Sequence, residues 1–546
     1  MDYKKLADLL FPNITNTVSY YEETVYPNRD LNESAKVTRL APSPTGFIHL
    51  GNLYGAFVDE RIAHQSNGVF MLRIEDTDEK RKVEGSVELI ISSLEYFGLK
   101  FDEGASIDGE KGSYGPYYQS NRAEIYQTVA KYLVETGRAY PCFCSEEELE
   151  EIRNQQIAQN ATTGYYGKWA KYRDIPLEEI QKHLDNNENF VLRFKSMGNP
   201  EVNFEIDDAI RGHLSIPENN QDVVILKANG IPTYHFAHVV DDHLMKVTHV
   251  VRGEEWLSTL PIHYELFKTL GWDLPVYCHT AHLMKIDDGV KRKLSKRKDP
   301  ELGLEFYMKL GYHPATVREY LLTILNSNFE EWRIANPDAD IFDFQFTLEK
   351  MSNSGALFDL NKLNDISKNV MVKISVEEIY DLLIKWANEY KQEIANLLST
   401  QKDAVLKLLS VGRDSQKPRK DLVYCEQIFE FISYFFDDHF KIVDSYPENI
   451  DEPEAKKILD AYLETYDHSD DQAQWFDKIK EIATTNGYAA KPKDYKKNPE
   501  MYKGHVGDVS TVIRIALIGR RTSPDVWEIQ QIMGEKKVRE RIQNLI

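Results

Sequence analysis

One alternation near the N-terminus constrains this chain more than anything else in it. Lys36-Val-Thr-Arg-Leu-Ala41 reads as a short buried strand, cut off by the Pro/Gly stretch Pro42-Ser-Pro-Thr-Gly46. A helix is predicted from about His49, with Leu50, Leu53, Phe57 and Ile62 at near-helical spacing and Asn67-Gly68 as its stop. Residues 69–74, Val-Phe-Met-Leu-Arg-Ile, predict a second buried strand, and residues 83–96, closed by Gly98, a second helix. Such a βαβα unit requires a parallel sheet with helices on its faces, which makes the fold α/β.

With 546 residues, the chain has material for about three to four domains. Strands and helices mix up to about residue 330, but residues 145–184 are helical and polar and read as an insertion. The second half of the sheet is expected to resume at Val223-Val-Ile-Leu226 and Thr248-His-Val-Val251. Beyond about residue 370 helical patterns dominate, as over 376–391 and 421–436, so the C-terminal third is expected to be all-helical. Residues 1–11 alternate charge with leucine too closely for a secretory signal and predict an amphipathic helix. Four cysteines, Cys142, Cys144, Cys278 and Cys425, are too few for a disulfide framework and suit a reducing, cytoplasmic setting. No apolar run approaches the roughly 18 residues of a membrane span.

The charge balance of 66 Lys+Arg against 88 Asp+Glu, a net −22, argues by itself against a nucleic-acid partner. A large acidic protein can nevertheless carry local basic surfaces, such as those at 417–420, 493–497, 519–521 and 536–539. Two segments carry chemistry. Arg39-Leu-Ala-Pro-Ser-Pro-Thr-Gly-Phe-Ile-His-Leu-Gly-Asn52 puts a Pro/Gly loop and His-x-Gly where a strand enters a helix. Ligands of open α/β sheets bind at such junctions, and backbone N–H groups there point at anions. Lys291-Arg-Lys-Leu-Ser-Lys-Arg-Lys298 is a cationic loop that suits a triphosphate and the charge that builds up as pyrophosphate leaves. His-x-Gly alone suits a helix-capping turn, but the full fourteen-residue run favours a ligand site; the cationic loop taken singly suits an exposed basic loop.

Together, His49-Leu-Gly-Asn52 and Lys293-Leu-Ser-Lys-Arg297 resemble the two ATP signatures of class I aminoacyl-tRNA synthetases. The words around them resemble the glutamyl-tRNA synthetases in particular: Arg-Leu-Ala-Pro-Ser-Pro-Thr-Gly from Arg39, Arg-Ile-Glu-Asp-Thr-Asp from Arg73, Pro-Thr-Tyr-His from Pro232, Val-Val-Asp-Asp-His from Val239 and Val-Val-Arg-Gly-Glu-Glu-Trp from Val250. The resemblance runs from residue 36 onward and is most specific before about residue 370. It implies a Rossmann-like parallel-sheet catalytic domain split by an acceptor-end insertion and followed by an all-helical anticodon-binding domain. The expected divisions are an N-terminal extension over 1–35, catalytic halves over 36–120 and 223–300, the insertion over 121–222, a stem-contact region over 301–370 and the helical domain over 371–546. It also implies ATP-dependent ligation of L-glutamate to tRNA(Glu) through a glutamyl-adenylate, with Mg²⁺ on the ATP, by a cytoplasmic monomer that requires tRNA for activation.

By the same resemblance, His49, Lys293 and Lys296 are catalytic, and with Gly51, Asn52, Glu255, Leu283 and Met284 they hold ATP. Arg39, Ala41, Ser43, Glu75, Tyr234, His238 and Arg252 form the glutamate pocket. A dianionic amino acid with one ammonium needs cationic forks and a carboxylate, and a glutamine pocket would leave such charge unpaired. The sequence departs from the family pattern at Asn52, at His238 where asparagine is usual, and at Cys142-Phe-Cys144. The last resembles half of a zinc site whose other half is missing, so no zinc is expected. A non-catalytic paralogue is disfavoured because His49, Gly51, Lys293, Ser295 and Lys296 are all retained.

Overall fold

Val37, Thr38, Arg39 and Leu40 are all buried and form β1 (Val37–Leu40), the burial on both faces that marks an inner strand of a parallel sheet. The computed structural model describes residues 1–546 except Phe47, Glu79, Lys80, Lys82 and Asp414, so Phe47 of the Pro/Gly run lies outside the described residues. The chain divides into two units, Met1–Glu305 with Arg318–Asp359, and Phe306–Val317 with Leu360–Ile546.

In the first unit β1 leads into α1 (Leu50–Gln65), β2 (Val69–Leu72), α2 (Ser86–Tyr96) and β3 (Glu103–Ser106), the predicted βαβα unit with one further strand. The turn out of α1 needs Gly68, because a Cβ there would lie 1.9 Å from the Lys36 carbonyl oxygen, which instead accepts from Val69 N at 3.0 Å. β2 pairs in parallel with β1 and with β3. Later in the chain β4 (Ala139–Cys142), β5 (Val191–Phe194), the hairpin β6 (Asn203–Asp208) and β7 (Gly212–Pro217), and β8 (Val224–Leu226) precede α3 (Tyr234–Leu244), β9 (His249–Gly253), α4 (Leu260–Leu270) and β10 (Val276–Thr280). β9 and β10 pair in parallel. Thr248, at the foot of β9, joins them to β1: its N–H donates to Val37 O at 2.9 Å and its Oγ1 accepts from Val37 N at 2.8 Å. Apart from the short antiparallel edge strand Gly109–Lys111 beside β3, the strands are thus arranged 3-2-1-9-10, and the order reverses beside β1, where doubly wound sheets open a crevice.

The expectation that the sheet resumes at residues 223–226 is corrected. β8 pairs antiparallel with β5, which pairs with β4, so it closes the sheet of the inserted region. A run of four apolar residues has no periodicity to say which sheet it will join. Only the strand at residues 248–251 returns to the main sheet.

Residues 1–35 are part of the same core. The helix Tyr3–Leu10 packs on the helix Ala123–Glu135, and Leu6, Ala7, Phe11, Ile14, Tyr21 and Tyr26 are buried with Val129 and Leu133. Arg29 clamps Glu103 through both Nη atoms, at 2.8 and 3.0 Å.

The second unit is helical, and no strand follows Ala356–Leu357 among the described residues. Its helix Val506–Ile518 buries Val509, Val512, Ile513, Ala516 and Leu517, while the buried Arg541 donates to the carbonyls of Tyr434 and Leu517. Residues 301–370 are shared between the two units. No helix among the described residues is long and apolar enough to cross a membrane.

Candidate active site

At the mouth of α1 the backbone is organised by its own side chains. His49 is the N-cap residue: its Nδ1 accepts from Asn52 N at 3.2 Å, and Asn52 Oδ1 accepts from His49 N at 3.1 Å. This reciprocal cap satisfies two of the orphan groups of the helix end and leaves other N–H groups facing outward. Gly51 makes room for it, since a Cβ there would lie 2.9 Å from His49 Nδ1. Burial pushes the His49 imidazole down, which keeps it uncharged.

Opposite this helix end, β11 (Leu283–Asp287) and β12 (Val290–Lys293) form a hairpin closed by Asp288 and Gly289, both with positive φ, the turn that a two-residue hairpin needs. It delivers Lys293, whose Nζ lies 3.2 Å from His282 Nε2. Arg292 is a strut: it forks onto Asp299 at 2.7 Å through both Nη atoms, while Asp299 also accepts from Ser295 N at 2.8 Å. The Arg292 hydrogen bonds hold the Asp299 carboxyl well below the usual carboxylate range. Asp299 thereby pins both ends of the Lys-Leu-Ser-Lys-Arg loop.

Between these elements lies a cleft of about 680 Å³ at the reversal of strand order. Arg39, Ala41, Ser43, His49, Gly51, Asn52, Glu75, Tyr234, Arg252, Glu255, Leu283 and Lys293 line it. Three of the expected site residues do not. Met284 sits in β11 beside Gly355. Lys296 lies exposed on the loop. His238 is wholly buried behind Tyr234, ring centroids 5.9 Å apart, with Nε2 3.3 Å from Tyr277 Oη. His238 thus stands behind the cleft wall: on α3 it falls one turn after Tyr234, on the same helical face but deeper. A groove along the helix Glu146–Ala158 has a comparable volume, about 730 Å³, but four glutamates line it and it suits no anion.

The inner end of the cleft is built on buried charge. Asp242 receives Arg39 Nε at 3.2 Å on both oxygens and Arg73 Nη1 at 2.6 Å. Its neighbour Asp241 receives Arg122 Nε at 2.7 Å, Tyr126 Oη at 2.8 Å and Gln119 Nε2 at 2.8 Å. Burial alone would raise the Asp242 carboxyl, but Arg39 and Arg73 hold it well below the usual range. Glu75, with Arg73 Nη2 at 3.4 Å, shows the opposite balance: burial pushes its carboxyl up to about 7 against the pull of Arg73 and Arg39. Arg252 has no carboxylate partner among the described residues. Its Nε donates to His279 Nε2 at 2.9 Å, its Nη1 lies 3.0 Å from His263 Nδ1, and its Nη2 is buried without a hydrogen-bond partner. Sequence reasoning missed Asp241, Asp242, Arg122, His263 and His279. The available signal was the Asp-Asp pair inside the apolar pattern of residues 236–244, where charge has no place unless it is paired.

A family profile described as "tRNA synthetases class I (E and Q), catalytic domain" matches residues 36–365, and one described as "Anticodon binding domain" matches residues 500–546. A glutamate–tRNA ligase of Acetivibrio thermocellus is 81% identical over 546 residues, covering 100% of both chains. The chain belongs to the glutamate–tRNA ligases. One from Clostridium perfringens is 50% identical, again over 100% of each chain. Among solved structures, a glutamate tRNA ligase from Elizabethkingia meningosepticum "in complex with its amino acid" superposes with a TM-score of 0.72 at 27% identity, covering 94% of this chain and 99% of that one. The α/β catalytic region and helical C-terminal region expected from the sequence are those of this family. Within the inserted region of this ligase, Cys142 Sγ and Cys144 Sγ each lie 3.5 Å from Tyr165 Oη.

Proposed function

We propose that the cleft at the strand-order reversal is where this chain forms glutamyl-adenylate and presents it to tRNA. As a glutamate–tRNA ligase the chain joins L-glutamate to tRNA at the expense of ATP, yielding glutamyl-tRNA, AMP and pyrophosphate. The observation that carries the assignment of the inner end to the amino acid is Arg252, a buried guanidinium with one nitrogen unsatisfied and, among the described residues, no carboxylate partner. Such a group is costly until an anion arrives.

In this assignment Arg252 and Arg39 face the carboxylates of glutamate, Glu75 accepts from its ammonium, and Tyr234, Ser43 and Ala41 complete the wall. His49, Gly51 and Asn52 at the α1 mouth take the phosphates, the backbone near Leu283 and Met284 holds adenine, and Glu255 faces ATP. Lys293 and Lys296 stabilise the charge on the transferring α-phosphate. The glutamate carboxylate attacks that phosphorus and pyrophosphate leaves; the terminal ribose hydroxyl of the tRNA then attacks the adenylate carbonyl and AMP leaves. The amino acid supplies its own nucleophile, so the protein contributes alignment and charge. As the family resemblance implies, Mg²⁺ would arrive with the triphosphate and offset part of its charge.

The remaining assignments follow the family. Residues 121–222 receive the acceptor end, 301–370 the stem and 371–546 the anticodon, and the chain works as a cytoplasmic monomer. Cys142 and Cys144 hold no zinc, and metal analysis finding stoichiometric zinc would overturn that. The decisive experiment charges separated glutamate and glutamine tRNAs with labelled glutamate and follows ATP–pyrophosphate exchange with and without tRNA. Exchange only when cognate tRNA is present is expected; no exchange under any condition would remove the catalytic assignment.

A further inference from the structure

The four arginines around the inner cleft are held in two different ways. Arg39, Arg73 and Arg122 each meet a buried aspartate. Arg252 instead meets imidazoles and the face of Tyr277, 4.8 Å from guanidinium carbon to ring centroid. An imidazole nitrogen accepts from Arg252 only when it is unprotonated, so the tautomer of each histidine matters. Asp208 sets that of His279. It closes β6, and its Oδ2 takes His279 Nδ1 at 2.6 Å while its Oδ1 takes the N–H groups of Ile210 and Arg211, both at 2.9 Å. With Nδ1 donating to a carboxylate, Nε2 is left as the acceptor that Arg252 Nε requires. His263, wholly buried, accepts from Arg252 through Nδ1 and turns its Nε2 to His235 Nδ1 at 3.0 Å. The hairpin carrying Asp208 is seated on β10, where Ala209 N donates to Tyr277 O at 2.9 Å.

We propose that Asp208, His279 and His263 are positioning residues for the amino acid: they fix the Arg252 guanidinium with uncharged acceptors, so that its whole charge and its Nη2 remain for a carboxylate of the substrate. A carboxylate in place of either imidazole would orient the fork equally well but neutralise it before glutamate arrives. The inference rests on the assignment of Arg252 to glutamate, and it adds a reason why, of these four arginines, Arg252 meets no acidic side chain among the described residues.

The test measures KM and kcat for glutamate and for ATP separately, with saturating tRNA, in the full-length chain carrying H279E, H279Q, D208N or R252Q, with the thermal transition as a check on folding. H279E is expected to raise the glutamate KM about ten- to a hundredfold, the range for losing a charge-assisted buried contact, while the ATP KM stays put. H279Q, which still offers an uncharged acceptor, should raise it by no more than about a tenth as much. D208N would present N–H to His279 Nδ1, flip the tautomer and put Nε2–H against Arg252 Nε–H, so it too should raise the glutamate KM selectively. Equal effects of H279E and H279Q would overturn the proposal, as would a glutamate KM unmoved by H279E and D208N while R252Q raises it. Should H279E fail to fold, D208N alone decides in the same sense. If R252Q leaves glutamate KM unchanged, the assignment of Arg252 itself falls and the proposal with it.

Discussion

The two ends of the cleft are stabilised by opposite strategies. At the α1 mouth and the β11–β12 hairpin, partners are close in sequence: His49 with Asn52, Arg292 with Asp287 and Asp299, Ser295 with Asp299. At the inner end they lie far apart, Arg39 with Asp242, Arg73 with Asp242, Arg122 with Asp241 and Arg252 with His279. Local caps can be remade after a loop moves, which suits a nucleotide that must enter and leave as pyrophosphate and AMP. A buried lattice of charges cannot rearrange cheaply, which suits discrimination between a carboxylate and an amide. Substitutions at the inner end should therefore cost affinity for glutamate or stability, and substitutions at the outer end should cost rate.

The largest effect is expected from Arg252→Gln. Losing one partner of a buried ion pair costs about 3 to 5 kcal/mol, or roughly two to three and a half orders of magnitude in kcat/KM for glutamate. Kinetics with glutamate and ATP varied separately check it; a change below about fivefold for glutamate would fit a rim arginine instead. Next comes Asp242→Asn, which strands Arg39 and Arg73 without their shared counter-charge. It should lower unfolding stability by about 3 to 5 kcal/mol, read by denaturant titration, and an unchanged midpoint would show that the lattice is dispensable.

At the outer end Lys296→Ala should slow adenylate formation about a hundredfold or more while leaving glutamate affinity little altered, because its charge is needed as negative charge develops. Single-turnover activation at the normal rate would break the contrast between the two ends.

The same contrast explains what could be read from the sequence. The outer end was legible because its residues stand in contiguous words: a Pro/Gly loop with His-x-Gly, and a lysine-rich loop ending in Asp299. Of the inner end, Arg39, Glu75 and Arg252 could be named by resemblance, but what holds them could not. Asp242 and Arg39 are 203 residues apart, and His279 meets Asp208 across 71. No local pattern encodes such pairings. The misplaced strand at residues 224–226 has the same origin, since an apolar run says that it will be buried and not beside what. The packing of residues 1–35 into the core was likewise legible only as an amphipathic helix without a partner.

The smallest expected effect tests the inner end by titration. Burial pushes the Glu75 carboxyl up to about 7 in the free protein. An ammonium arriving beside it favours the charged form and pulls that value down. Binding of glutamate is then linked to loss of a proton from Glu75 wherever the free site is protonated and the occupied one is not. Glutamate affinity should accordingly be flat above about pH 7 and weaken as the pH falls below it, approaching about tenfold per pH unit while one whole proton is released. The opposite sign, tighter binding on acidification, would place the ammonium elsewhere. The glutamate KM from pH 8 to pH 6, with tRNA and ATP saturating, gives the slope. Glu75→Gln supplies the control, because an amide does not titrate: the variant should bind more weakly at pH 8 and lose the acidic slope. A slope that survives in that variant would move the titrating group to another residue and leave the ammonium without its assigned acceptor.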